Sequence, residues 1–193
     1  MEHGPESTAS AGGEVSVSTR RLVRLILTSA VVFALALVVT ESFGEVAVDV
    51  DLKPFFLPYL MLATVRYGLP ALSIGLGAAL GEGVLDIFEG YELDDPIGFI
   101  GYVVGFMAFS WYLREVVSDP TRTRSQVVAA ILGGFVQAVF EGAAFLAFAP
   151  AAGVEQAVVS VLGNTVTHGL LLGAIPLVAL LSALRPRLAE ILE

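Results

Sequence analysis

Long apolar runs alternate with short polar interruptions along this chain, and the spacing of the interruptions sets the expected architecture. Residues 1–19 are rich in Gly, Ser, Thr and Glu without any periodic apolar pattern, so a disordered tail is expected there. Arg20, Arg21 and Arg24 then introduce the run Leu25–Thr40, which reads as a first membrane helix over residues 22–40. A basic start followed by an apolar run also resembles a secretory leader. Here, however, no small-x-small cleavage site follows, and the run passes on into Glu41-Ser42-Phe43. Further apolar segments lie at 54–68, 70–88, 97–113, 126–149 and 157–182. A hydrocarbon core about 30 Å thick needs about 20 helical residues, and most of these segments are long enough.

The second segment is the ambiguous one, because Pro54–Val65 offers twelve residues, a length equally suited to a re-entrant helix. Charge placement decides. With six spans and the N-terminus inside, Arg20, Arg21, Arg24, Arg66, Arg114, Arg122, Arg124, Arg185 and Arg187 all fall on the cytoplasmic side, and only Lys53 falls outside. The outer loops then hold Glu41, Glu45, Asp49, Asp51, Glu89, Glu92, Asp94, Asp95 and Glu155. If the second segment did not span, the Arg114–Arg124 loop would move outside, against the excess of basic residues in cytoplasmic loops. The segment is therefore read as a span extended to Leu69, with Arg66 reaching back to the inner interface. The expected fold is all-α: a multi-pass cell-membrane protein with six transmembrane helices and cytoplasmic N- and C-termini. Its membrane domain covers residues 20–185, and a short cytoplasmic tail covers 186–193.

Composition narrows the function classes. Hydrophobic residues make up 56% of the 193, mean hydropathy is +0.82 and only 15% are charged, which excludes a soluble enzyme. A net charge of −9 excludes a nucleic-acid partner. The absence of Cys removes disulfides, thiolate metal sites and Cys nucleophiles. Nine Arg against a single Lys, in an acidic chain, point to a proteome adapted to concentrated salt.

Candidate chemistry lies in polar residues at membrane depth. Glu82 and Asp86, Gln137 and Glu141, and Asn164 and His168 form three pairs four residues apart, each on one helix face. An acid facing lipid costs about 3 kcal/mol, so these groups face the bundle interior or a wet cavity. At 1.5 Å per residue, Glu82 stands about 17 Å and Asp86 about 23 Å above the inner end of the third helix. Glu141 stands about 22 Å up the fifth, and Asn164 and His168 lie about 10 and 16 Å below the outer surface. All fall between the midplane and the outer edge, as a pocket opening outward requires. Plainer roles compete: Asp86 as an interfacial acid, Gln137 and Asn164 as interhelical hydrogen-bond partners, His168 as a packing residue, and Trp111 and Tyr112 as inner-interface anchors. Tyr91, in the following loop, is positioned to cover such a pocket. With no Arg or Lys assigned to the outer half, the pocket suits a cationic or nitrogen-rich ligand rather than an anion.

Catalytic templates are missing. There is no His-Glu-x-x-His helix, no Gly-x-Ser-x-Gly elbow and no Gly-x-x-x-x-Gly-Lys loop, and His3 and His168 are too few for a multi-histidine zinc site. No enzyme activity, cofactor or metal is expected. A hydrolase pairing His168 with Glu82 or Glu141 is the remaining catalytic alternative.

Small residues mark close helix approach: Ala30-x-x-x-Ala34, Gly77-x-x-x-Gly81 and Gly101-x-x-x-Gly105. Together with the Tyr67-Gly68-Leu69-Pro70-Ala71 turn that opens the Gly-rich helix Leu72–Gly83, and Gly163-Asn164 leading into Gly169–Pro176, the Ala pair carries a likeness over residues 22–184. The chain resembles the substrate-binding S-components of energy-coupling factor (ECF) transporters. That resemblance implies six helices and capture of a small water-soluble nutrient, vitamin-like in size, near the outer face. It also implies import driven by a transmembrane coupling subunit and ATPase subunits, with Ala30 and Ala34 packing on the coupling subunit. A scaffold of the bacterial shape-determining MreD type, which has no small-molecule ligand, is the alternative within the same fold.

Overall fold

The computed structural model describes residues 18–41, 50–90, 95–148 and 153–192. Residues 1–17 of the tail expected over 1–19, and the loop around Tyr91, lie outside them, while Thr19 already belongs to the first helix. Helix α1 spans Thr19–Glu41, α2 Phe56–Leu62, α3 Leu69–Glu89 and α4 Asp95–Trp111, the last running on through a π-helical turn at Tyr112–Val116. Helix α5 spans Thr123–Phe148 and α6 Gly153–Asn164; π-helical turns over Thr165–Ala174 join α6 to α7, Ile175–Leu192. Five of these stretches are long and apolar enough to cross a membrane: Thr19–Thr40, Leu69–Phe88, Asp95–Val116, Thr123–Phe148 and Gly153–Leu184. The backbone of α7 stays helical to Leu192, through most of the stretch expected to be a C-terminal tail.

The expected long second membrane helix over 54–69 does not form. Only Phe56–Leu62 is helical, about 10 Å of rise. Two prolines explain part of this. Pro54 precedes the helix and Pro58 falls in its first turn, where a missing N–H breaks no internal bond. Burial explains the rest. Phe55, Tyr59 and Leu62 have no exposed surface, so this segment runs inside the protein, where irregular backbone is tolerated at membrane depth.

Glycine contacts fix the helix directions. A Cβ on Gly77 would strike the Ile26 carbonyl, and one on Gly81 would come within 2.5 Å of the Ala30 carbonyl, so both helices advance in the same sense and α1 and α3 are parallel. The Ser29 hydroxyl donates to the Ile74 carbonyl across the same seam, at 2.8 Å. Chain leaving the far end of α1 must therefore return the length of the bundle before α3 begins. The contacts of the returning segment record this descent. The Asp51 amide donates to Asn164 Oδ1, Phe55 stacks on His168, the Tyr59 hydroxyl donates to the Ala130 carbonyl, and Arg114 donates to the Ala63 carbonyl. Six extended residues and seven helical ones cover about 30 Å. Gly68, with φ of 102°, ends the descent in a conformation that only glycine adopts easily, and Pro70 opens α3.

The remaining long helices alternate in direction: Gly75 meets Phe106, Gly105 meets Gly133, and Gly134 meets Gly169. At the bundle's centre the rings of Phe33, Phe55, Tyr59, Tyr102, Phe106 and Phe109 form one buried aromatic layer, with Phe55–Phe106 centroids 5.0 Å and Tyr59–Phe109 centroids 4.2 Å apart.

Candidate binding site

Above this aromatic layer, polar side chains from the descending segment and four helices meet. Lys53, two residues before Phe55, carries its ammonium in from the descending segment. Its Nζ lies 2.8 Å from Glu82 Oε1 on α3, 3.1 Å from Asp51 Oδ2 and 3.6 Å from Glu141 Oε1 on α5. The Lys53 side chain is only 12% exposed, against 8% for Glu82 and 14% for Glu141. Tyr102 on α4 donates its hydroxyl to Glu82 Oε1 at 2.8 Å, and its ring lies 5.4 Å from the ammonium. Asn164 bridges two of the contributors: its amide donates to Glu141 Oε2 at 3.1 Å while its Oδ1 accepts from the Asp51 backbone.

These groups line a cavity of about 120 Å³ bounded by Asp51, Lys53, Glu82, Asp86, Asp95, Phe99, Tyr102 and Glu141. Five carboxylates thus surround one ammonium. Glu82 Oε2 is buried and accepts no hydrogen bond. Between α3 and α4 the cavity adjoins an apolar groove of about 510 Å³, which shares Glu82, Asp86, Asp95 and Phe99 and continues over Leu80, Val84, Ile87 and Ile100.

Of the six residues expected to form a site, four converge here: Glu82, Asp86 and Glu141 on the cavity, with Asn164 bracing Glu141. Gln137 and His168 form a separate pair beneath it. The ring Nδ1 lies 3.0 Å from Gln137 Oε1, and Phe55 stacks on the imidazole at 4.7 Å. Neither residue lines the cavity. Both keep an unpartnered buried nitrogen, Gln137 Nε2 and His168 Nε2. The π-helical stretch presents this histidine, and a Cβ on Gly173 would collide with the His168 carbonyl. On α1, the Ala30 backbone packs closely against Gly81 of α3, inside the bundle, while Ala34 is half-buried.

Lys53, Asp51, Asp95 and Tyr102 were not among the expected site residues. Lys53 was assigned to an outer loop, and the premise that no base reaches these carboxylates is corrected here: the chain supplies its own cation. The available signal was Lys53 itself, the single lysine among ten basic residues, set directly before Pro54 and an apolar run. Among the described residues no group of three His, Cys, Asp or Glu side chains could hold a metal ion.

Fold and site together define a protein that is helical throughout its long described elements, with five helices among the described residues fit to cross a membrane and an acidic cavity at one end of the bundle. No protein family, no curated protein and no solved structure matches the chain.

Proposed function

We propose that this chain is an S-component-like membrane protein that captures a small cationic or nitrogen-rich nutrient at the outer face for an ATP-driven importer. The observation that carries this reading is the cavity around Lys53, Glu82 and Glu141, polar and connected to the surface on one side and closed by packed aromatic rings on the other. A channel would need the polar lining to continue inward, and it does not. Arg21, Arg66, Arg114 and Arg122 lie toward the opposite end, so under the positive-inside rule the cavity opens outward, and six passages leave both termini in the cytoplasm.

Size refines the ligand. Sites for drug-sized molecules are roughly 300–1,000 Å³, and the polar cavity alone is smaller. It accommodates a charged or donor-rich head, while the adjoining groove supplies room for an apolar body. Coupling and ATPase subunits of an ECF module are the partners in this reading; because Ala30 packs on Gly81 of α3, the exposed flank of α1 at Leu27, Val31 and Leu35 is the contact rather than the Ala pair.

The test is gentle purification followed by mass spectrometry of co-eluting small molecules and ATPase subunits. A nitrogenous cation that binds the parent and is lost in Glu82→Gln and Glu141→Gln supports the reading. A carboxylate-bearing vitamin bound equally by all three proteins would overturn the acidic-site assignment. Labelling of Ser118→Cys in intact cells by an impermeant thiol reagent would overturn the orientation.

A further inference from the structure

The opposite end of the bundle carries the reverse charge pattern. Arg21 from α1, Arg66 from the turn before α3 and Arg114 from the end of α4 line a single cavity of about 570 Å³ with Thr64, Tyr67, Leu69 and Pro70. No carboxylate lines it among the described residues. The three guanidiniums come from distant stretches of sequence, and the fold gathers them.

Arg114 is held rather than solvated. One of its Nη atoms donates to the Ala63 carbonyl, where α2 ends, and its Nε is buried without a hydrogen-bond partner. A buried arginine Nε–H without a partner is a charge-assisted donor that a phosphate or carboxylate oxygen can accept. Tyr67, 38% exposed, adds a hydroxyl donor, while the Thr64 hydroxyl donates to the Met61 carbonyl. Leu69, 58% exposed, and Pro70 give the same cavity an apolar wall where α3 begins. Three cations, a tyrosine hydroxyl and an apolar edge at the end of a membrane helix match a phosphate group next to hydrocarbon.

We infer that this cavity binds a phosphoryl anion, either the headgroup of an anionic phospholipid or a soluble phosphate ester. This site lies away from the Lys53 cavity and does not depend on the function proposed above.

The test uses the full chain in nanodiscs made from an equal mixture of phosphatidylglycerol and phosphatidylcholine. Native mass spectrometry counts the lipids retained on release, with sn-glycerol 1-phosphate as the soluble probe in detergent. One phosphatidylglycerol held in preference to phosphatidylcholine, and not displaced by millimolar glycerol phosphate, assigns the lipid source. Saturable binding of glycerol phosphate without any lipid preference assigns the soluble source. Each arginine near a membrane surface contributes about 1 kcal/mol, so Arg66→Gln and Arg21→Gln should each weaken binding about fivefold. Both side chains are exposed, so these variants should fold as the parent does. Arg114→Lys keeps the charge but loses the Nε–H donor, and should weaken binding more than its unchanged charge predicts. If neither probe binds, or if Arg66→Gln and the Arg21→Gln/Arg66→Gln double variant retain phosphatidylglycerol as the parent does, the inference is overturned.

Discussion

Lys53→Met is the most informative single perturbation of this protein. Its ammonium is the shared counterion of Glu82, Asp51 and Glu141, at 2.8, 3.1 and 3.6 Å. At an effective dielectric of about 20, a pair at 2.8 Å carries about 6 kcal/mol of Coulomb attraction, most of it offset by desolvation. Removing the cation leaves that desolvation uncompensated on the carboxylates, a loss of about 3–5 kcal/mol. Glu82→Gln should behave differently. It leaves Lys53 with Asp51 and Glu141, and the Gln carbonyl still accepts from Tyr102, so the expected loss is about 1–2 kcal/mol. Adding Glu82→Gln to Lys53→Met should recover part of the loss, because one stranded charge is gone.

Thermal unfolding in dodecyl maltoside, followed by circular dichroism, reads these differences. At about 2–4 °C per kcal/mol for a chain of this size, Lys53→Met should melt roughly 10 °C below the parent. A small cation should substitute in part for the missing ammonium, so millimolar ethylammonium should raise the Tm of Lys53→Met more than that of the parent. If Lys53→Met melts with the parent, or if Glu82→Gln costs as much as Lys53→Met, the shared-counterion account is refuted.

Three further outcomes are expected. Gly81→Ala drives a Cβ to 2.5 Å from the Ala30 carbonyl and should cost about 1–3 kcal/mol in chemical denaturation, while Gly98→Ala, which meets open space, should be neutral or stabilising. Gln137→Leu strands the buried His168 Nδ1 and should cost about 1–3 kcal/mol, which Gln137→Leu/His168→Leu should largely restore. In the exposed turn before α5, hydrogen bonds from the Thr121 hydroxyl and amide, with Arg122 nearby, hold the Asp119 carboxyl below its usual range. A lowered native value makes the turn's stabilisation complete at neutral pH and lost as acid titrates the carboxyl through that value. The Thr121 amide resonance should therefore move only at a pH below the usual carboxylate range, and not at all in Asp119→Asn.

The long helices were legible because each is a continuous apolar stretch whose ends are marked by charge, proline or glycine. Glu82 and Glu141 were legible as buried acids because lipid tolerates such residues only when they face protein. Residues 50–68 were not. Helical periodicity assumes that the segment satisfies its own backbone, and this one is satisfied instead by Asn164 and by short local turns around Met61 and Leu62. Twelve mostly apolar residues that include two prolines look the same whether they face lipid or five surrounding helices. Pairing across the bundle was equally hidden. Gln137 and His168 lie 31 residues apart, and only the antiparallel register of α5 against the π-helical stretch brings them together.

The placement of Lys53 also reshapes the charge argument. In the outer loop expected for residues 43–53, Lys53 would stand in water, and the carboxylates would need an external cation. Descending through the bundle, the same segment carries its ammonium among them. The sign of the cavity nevertheless survives, because one ammonium faces five carboxylates and Glu82 Oε2 still accepts nothing. What changes is the competition. A ligand offering only a positive charge meets a tethered cation already held at 2.8 Å, whose local concentration no free ion matches. Selectivity must then come from contacts that Lys53 does not make: a second donor for Glu82 Oε2, or an apolar body lying between α3 and α4. On this reasoning the lysine supplies both stability when the cavity is empty and a threshold against simple inorganic cations.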